Sequence, residues 1–149
     1  MIKSRRYNNA PAALSDSIEI KVRFSEVDSL KIVWHGAYVK YFEDGREAFG
    51  NTYAGLGYMD ICNSGFTAPV VDMNIQFLRP LSIGEKAVVE TRYYLTDAAV
   101  IYFEYGIKNS EGELVARGST TQAFLDGDGN LCLQDPEFYT EWKKRWLKK

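Results

Sequence analysis

Two residues that can move protons stand seven positions apart in this 149-residue chain: Asp28 and His35, the only histidine. A carboxylate can attack an acyl carbon or activate a water molecule, and an imidazole can orient or protonate a reacting group. Taken singly, Asp28 also fits a turn or a loop cap, and His35 also fits an ordinary hydrogen-bonding residue at a helix start. Their value as a catalytic pair therefore depends on the elements that hold them.

The segment after His35 gives this pair a chemical setting. Its apolar face recurs at spacings of four, three and four, which predicts a helix over residues 36–53, formed by Tyr38, Phe42, Gly45 and Phe49. The backbone N–H groups of His35 and Gly36 then fall at the positive end of the helix, where they have no partner within it. Such N–H groups suit an oxygen atom that gains negative charge during acyl transfer.

Five further segments have the character of β-strands. Alternating apolar and polar side chains predict strands at 18–24 and 71–77, and β-branched and aromatic residues predict strands at 86–95, 99–108 and 114–125. The short connections between the last three favour an antiparallel meander. A second helix is predicted at 136–147, with Asp135 as its N-cap. One long helix must therefore serve a whole sheet, and Gly45 in its apolar stripe predicts a close approach between the two.

Composition narrows the class of protein. Hydrophobic residues make up 46% of the chain, and 18 basic residues face 20 acidic ones, so a single globular domain over 1–149 is expected and a nucleic-acid-binding face is not. No apolar run approaches the ~20 residues of a membrane span. Residues 1–17, expected to form a loosely ordered arm, lack the apolar core of a signal peptide, which predicts a cytoplasmic location. One histidine and two distant cysteines form no zinc pattern, so no metal is expected.

The stretch VRFSEVDSLKIVWHGAYVKYFEDGRE, residues 22–47, resembles the signature of the 4-hydroxybenzoyl-CoA thioesterase-like family of hotdog-fold proteins. Matching landmarks at 79–81 and 118–121 extend the resemblance over roughly residues 18–126. The resemblance implies an α+β hotdog fold, in which a curved antiparallel β-sheet wraps around one long central helix; here a C-terminal helix follows. It also implies that subunits pair edge to edge, as a homodimer or homotetramer, with acyl-CoA bound at their interface.

By motif position, the resemblance assigns the catalytic carboxylate to Asp28, as nucleophile or as general base. It assigns to His35 the backbone N–H that polarises the thioester carbonyl, and in one branch of the family the imidazole also belongs to the site. Trp34, Gly36 and Tyr38 are candidate substrate-binding residues. The implied function is hydrolysis of an acyl-CoA thioester to a free acid and coenzyme A, without a cofactor. An acyl-ACP thioesterase and a non-catalytic acyl-CoA-binding protein on the same fold are the alternatives.

Overall fold

A five-stranded antiparallel sheet organises the structure, a computed structural model that describes residues 11–147. The strands lie in the order β1-β3-β4-β5-β2, so that β1 and β2 form the two edges. Their bounds are β1 Leu14–Lys21, β2 Val70–Phe77, β3 Lys86–Tyr94, β4 Val100–Asn109 and β5 Leu114–Ala123. The meander predicted for the last three strands is confirmed, because β4 pairs with both β3 and β5.

A long helix, α1 (Ala37–Thr52), packs against this sheet. Phe42 stacks on Tyr105 with ring centroids 4.4 Å apart, and Phe49 meets Phe103 edge-on at 5.0 Å. The predicted helix is thus confirmed, with Gly36 as its N-cap. The predicted α+β hotdog fold is also confirmed, since one central helix packs against the antiparallel sheet.

Two glycines let α1 lie this close to the strands. A Cβ atom on Gly45 would come within 2.5 Å of the Thr91 hydroxyl oxygen. A Cβ atom on Gly118 would come within 2.2 Å of the Asn74 carbonyl oxygen and 2.7 Å of the Phe42 ring. These distances are shorter than van der Waals contact, so the close approach predicted from Gly45 is confirmed.

The first strand lies earlier in the chain than predicted. The chain leaves the ladder after Lys21: the Val22 N–H still donates to the Glu85 carbonyl, but Phe24 begins a single 3-10 turn and is 82% exposed. Residues 14–17, assigned by the sequence to a loose arm, belong instead to β1 and pair with β3. Residues 1–10 of that arm lie outside the described residues.

Two further helices follow α1 in the chain. A short helix, α2 (Tyr58–Asn63), was not predicted, and the C-terminal helix α3 spans Glu137–Trp146. The N-cap prediction was wrong, because Pro136 occupies that position and the Asp135 carboxylate lies 2.6 Å from Lys143 Nζ. The indole N–H groups of Trp142 and Trp146 donate to the carbonyls of Tyr53 and Ala54, just after α1. No helix within residues 11–147 has the length and apolarity to cross a membrane.

Candidate active site

The loop between β1 and α1 folds back on itself around Asp28. The Asp28 N–H donates to the Ile32 carbonyl at 2.9 Å, and the Lys31 N–H donates to the Asp28 carbonyl at 2.9 Å. Lys31 closes this turn with a positive φ of 65°. Asp28 Oδ1 accepts the Leu30 N–H at 2.8 Å, whereas Oδ2 accepts no hydrogen bond from any residue between 11 and 147. Asp28 is therefore a turn residue that keeps one carboxylate oxygen free for other chemistry.

A buried carboxylate, Glu26, ties this loop to α1. Its Oε1 accepts the Arg23 N–H at 2.8 Å and the Tyr41 hydroxyl at 2.9 Å, and its Oε2 lies 2.8 Å from Lys40 Nζ. Burial alone would raise the pKa of Glu26, but the hydrogen bonds from Lys40, Arg23 and Tyr41 outweigh burial and hold that pKa below its usual value. The Glu26 carbonyl also accepts the Trp34 N–H at 3.2 Å. Both ends of the Asp28 loop are thus fixed to the first turn of the helix.

A pocket of about 360 Å³ opens beside this loop. Asp28, Trp34, His35 and Tyr38 line one side, and Phe77 and Leu78 at the end of β2 line the other. The His35 ring lies edge-on to Trp34 at 5.6 Å and to Phe77 at 6.3 Å between centroids. The structure thus brings together four of the five predicted site residues in one concave site.

Gly36, the fifth predicted residue, shapes the pocket without lining it. A Cβ atom there would lie 2.2 Å from the Trp34 ring, so only glycine lets the indole fold over the start of α1. The first backbone bonds of the helix start are Ala37 N–H to the Trp34 carbonyl at 3.0 Å and Tyr38 N–H to the His35 carbonyl at 3.3 Å. Within the described part of the chain, the N–H groups of His35 and Gly36 have no acceptor. They are available to an oxygen atom of a ligand.

Sequence reasoning missed two parts of this site. Glu26 stands two residues before Asp28, but its partners Lys40 and Tyr41 are 14 and 15 positions away and only the fold brings them close. The far wall is supplied by the end of β2 and the Arg79-Pro80 corner that follows it. The exposure of Phe77, which marks this wall, is seen only in the structure, because the sequence pattern places Phe77 on the apolar face of its strand.

The pocket, the free N–H groups and the fold define a class of protein. The profile of the thioesterase-like superfamily matches residues 22–145, and the chain belongs to this superfamily. It is a thioester hydrolase with the hotdog fold, which confirms the resemblance seen in the sequence.

Individual relatives support the same class. The putative acyl-CoA thioesterase YneP of Bacillus subtilis is 32% identical over 87% of this chain and 94% of its own length. The acyl-acyl carrier protein thioesterase ATL3 of Arabidopsis thaliana is 35% identical over 68% of this chain but 54% of its own length. The solved DHNA-CoA thioesterase of Staphylococcus aureus is 27% identical, with a TM-score of 0.79 over 88% of this chain and 89% of that one.

Proposed function

We propose that the protein hydrolyses acyl-CoA thioesters in the pocket beside Asp28. The observation that carries this proposal is that Asp28 lines one pocket with His35. Within residues 11–147, Asp28 Oδ2 accepts no hydrogen bond, and the N–H groups of His35 and the adjacent Gly36 have no acceptor. The relative that matches nearly its whole length to this chain, YneP, is named as a putative acyl-CoA thioesterase. This chemistry does not need the nucleophilic serine of a serine hydrolase, because the Asp28 carboxylate supplies the base or the nucleophile.

The reaction replaces a carbon–sulfur bond by a carbon–oxygen bond. With the thioester oxygen held by the His35 and Gly36 N–H groups, Asp28 takes a proton from water as the water oxygen attacks the acyl carbon. The C–S bond then breaks, the thiolate of coenzyme A takes up the proton, and the free acid leaves. In the alternative route Asp28 attacks first and water hydrolyses the resulting anhydride. Single turnover in ¹⁸O-water identifies the anhydride route when label enters Asp28, because only water attack on the Asp28 carbonyl of the anhydride places it there.

The carboxylate role is tested by Asp28→Asn, which keeps the Leu30 hydrogen bond and removes charge and basicity. We expect kcat for thiol release to fall by roughly 10²–10⁴ with little change in binding. Unfolding by urea should be unchanged within ~0.5 kcal/mol. A folded Asp28→Asn protein with near wild-type kcat would overturn the assignment.

We further propose that the protein works as a dimer paired through β2. The two edges of the sheet differ in polarity. The exposed residues of β1 are polar or charged: Ser15, Ser17, Glu19 and Lys21. β2 and the residue after it instead expose apolar side chains, namely Val71 by 61%, Phe77 by 52% and Leu78 by 47%. Charged side chains protect an edge from pairing, and an apolar edge invites it. Phe77 and Leu78 also line the pocket, so such pairing would place the pocket at the interface.

Light scattering of two matched variants tests the dimer. Val71→Lys adds a charge at the β2 edge, whereas Val88→Lys adds the same charge on β3, an interior strand, at a residue 41% exposed. We expect the first variant to be monomeric with reduced thiol release and the second to remain dimeric and active. A wild-type protein that is monomeric at full activity would refute the proposal.

A second candidate carrier is acyl-ACP, which the similarity to ATL3 favours. The same pocket would act on the thioester, and only the carrier would differ. Thiol-release assays with matched acyl-CoA and acyl-ACP substrates distinguish the two, and we expect the larger kcat/KM with acyl-CoA. Binding of acyl-CoA without thiol release would instead indicate the non-catalytic alternative.

A further inference from the structure

A second and larger cavity, of about 690 Å³, lies between α1, α2 and the sheet. Val70, the first residue of β2, lines this cavity, whereas Phe77, the last residue of β2, lines the pocket with Asp28. The inner wall of the cavity is apolar and buried, and consists of Phe49, Leu56, Ile61, Ile101 and Phe103. Its ionic side chains all come from one turn of α1, at Glu43, Arg46 and Glu47. The hydrolytic step proposed above makes no use of this space.

We infer that this cavity binds the acyl chain of the substrate and that the chain is a long, unsubstituted aliphatic one. The inference rests on the proposed thioester hydrolysis and on pairing through β2. A cavity of about 150 Å³ already holds benzene, so a single aromatic ring would leave most of this space empty. A flexible chain can fill it.

The polar groups of the cavity also favour a plain hydrocarbon. The Gln122 amide donates to the Ala68 carbonyl at 2.7 Å, and Arg46 Nη1 donates to the Tyr105 hydroxyl at 3.1 Å. The five residues of the inner wall carry no polar side chain at all. A hydroxyl group on an acyl chain buried against that wall would lose its water and gain no partner, which disfavours hydroxylated substrates.

Pairing through β2 connects the cavity to the reacting end. The two ends of β2 are about 23 Å apart at ~3.3 Å per residue, so one protomer alone separates Asp28 from its own cavity. An antiparallel neighbour strand lies only ~4.8 Å away and runs in the opposite direction. If the two β2 strands pair about a centre between Met73 and Asn74, Val70 of one protomer stands beside Phe77 of the partner subunit. The acyl chain then passes from one protomer's Asp28 into the other's cavity.

Substitution of Cys62 tests the length of the acyl chain that the cavity accepts. It is a free thiol on α2, half-buried, and it lines the cavity. Cys132, the second free thiol, does not line it. Cys62→Phe should shorten the cavity, Cys62→Ser should preserve its size, and Cys132→Ser is the control for loss of a thiol elsewhere. Ala68→Leu fills the same cavity at another lining residue and serves as an independent second variant.

The test measures kcat/KM for butanoyl-, octanoyl-, dodecanoyl- and benzoyl-CoA. In the wild type we expect kcat/KM to rise by about fourfold per methylene until the cavity is full. In Cys62→Phe and Ala68→Leu the dodecanoyl-to-butanoyl ratio should fall by roughly 15-fold, as if two methylenes were excluded. Cys132→Ser, which changes no residue lining the cavity, should keep the wild-type ratio within about twofold. A ratio within one variant does not depend on how much of that variant is folded.

Calorimetric binding of free dodecanoate gives a readout that needs no turnover. Its Kd should rise in Cys62→Phe and stay unchanged in Cys132→Ser. If the wild type hydrolyses no acyl-CoA, the proposed function fails while dodecanoate binding still tests the cavity. If hydrolysis occurs with a flat length profile, with benzoyl-CoA preferred, or with an equal loss at every length in Cys62→Phe, the inference about the cavity is refuted and the proposed function stands.

Discussion

The hydrogen bonds of Glu26 allow a prediction in which stability and catalysis change for the same reason. In Glu26→Ala, the Tyr41 hydroxyl, which belongs to a side chain only 2% exposed, loses its acceptor. An unsatisfied buried donor costs about 1–3 kcal/mol. Lys40 is 48% exposed, so losing its ion pair adds no more than about 1 kcal/mol. The freed Arg23 N–H adds a similar amount, and we expect unfolding free energy to fall by about 2–4 kcal/mol.

Glu26→Gln separates charge from shape, because an amide oxygen can still accept from Arg23 and Tyr41. We expect a loss of about 1–2 kcal/mol in urea unfolding followed by tryptophan fluorescence. Since Glu26 holds the Asp28 loop and does not line the pocket, kcat should fall by about tenfold with KM nearly constant. A cycle with Tyr41→Phe should give a coupling energy of about 0.5–3 kcal/mol. Wild-type stability in Glu26→Ala, or a KM change without a kcat change, would refute the anchoring role.

The other predictions concern pH, His35 and Gly45. The pKa of Glu26 is lowered in the folded protein, so its contribution to stability is present above the usual value of 4.5 and is lost as pH falls through the folded pKa. The free energy of unfolding should therefore fall more on acidification in the wild type than in Glu26→Gln. His35→Ala keeps the backbone N–H, so kcat should fall less than in Asp28→Asn; a loss beyond roughly 10³ would give the imidazole a direct chemical role. Gly45→Ala places a Cβ atom 2.5 Å from the Thr91 oxygen and should cost about 1–3 kcal/mol in thermal unfolding, with partial recovery in the double variant Gly45→Ala/Thr91→Ala; additive losses would contradict the clash.

Sequence periodicity predicted the long elements because their packing is repetitive. The α1 stripe from Tyr38 to Phe49 matches the face that packs on the sheet, and Gly45 marks the contact correctly. β1 was displaced because Leu14 to Ser17 carry mostly polar side chains, and main-chain bonds to β3 hold this edge. The short helix α2 has too few residues for a periodic signal.

The site was predicted only as far as it is contiguous in the chain. Asp28 and the helix start share one loop, so their proximity follows from the sequence. The wall from Phe77 and Leu78 and the bonds from Lys40 and Tyr41 to Glu26 depend on tertiary contacts that local patterns do not encode. Asp135 shows that a local pattern can also mislead. Its residue type suits an N-cap, but its carboxylate forms an ion pair with Lys143 on the helix.

The apolar edge of β2 has a consequence for the biosynthesis of the chain. Among the strands of residues 11–147, β2 pairs only with β5, whose residues 116–122 are made roughly 40 residues after Phe77. At a translation rate of about 5–20 residues per second, both edges of β2 stay open for about 2–8 s. Nascent chains on neighbouring ribosomes of one messenger present the same strand during this interval. Slower translation or lower temperature should therefore shift the yield between productive pairing and aggregation.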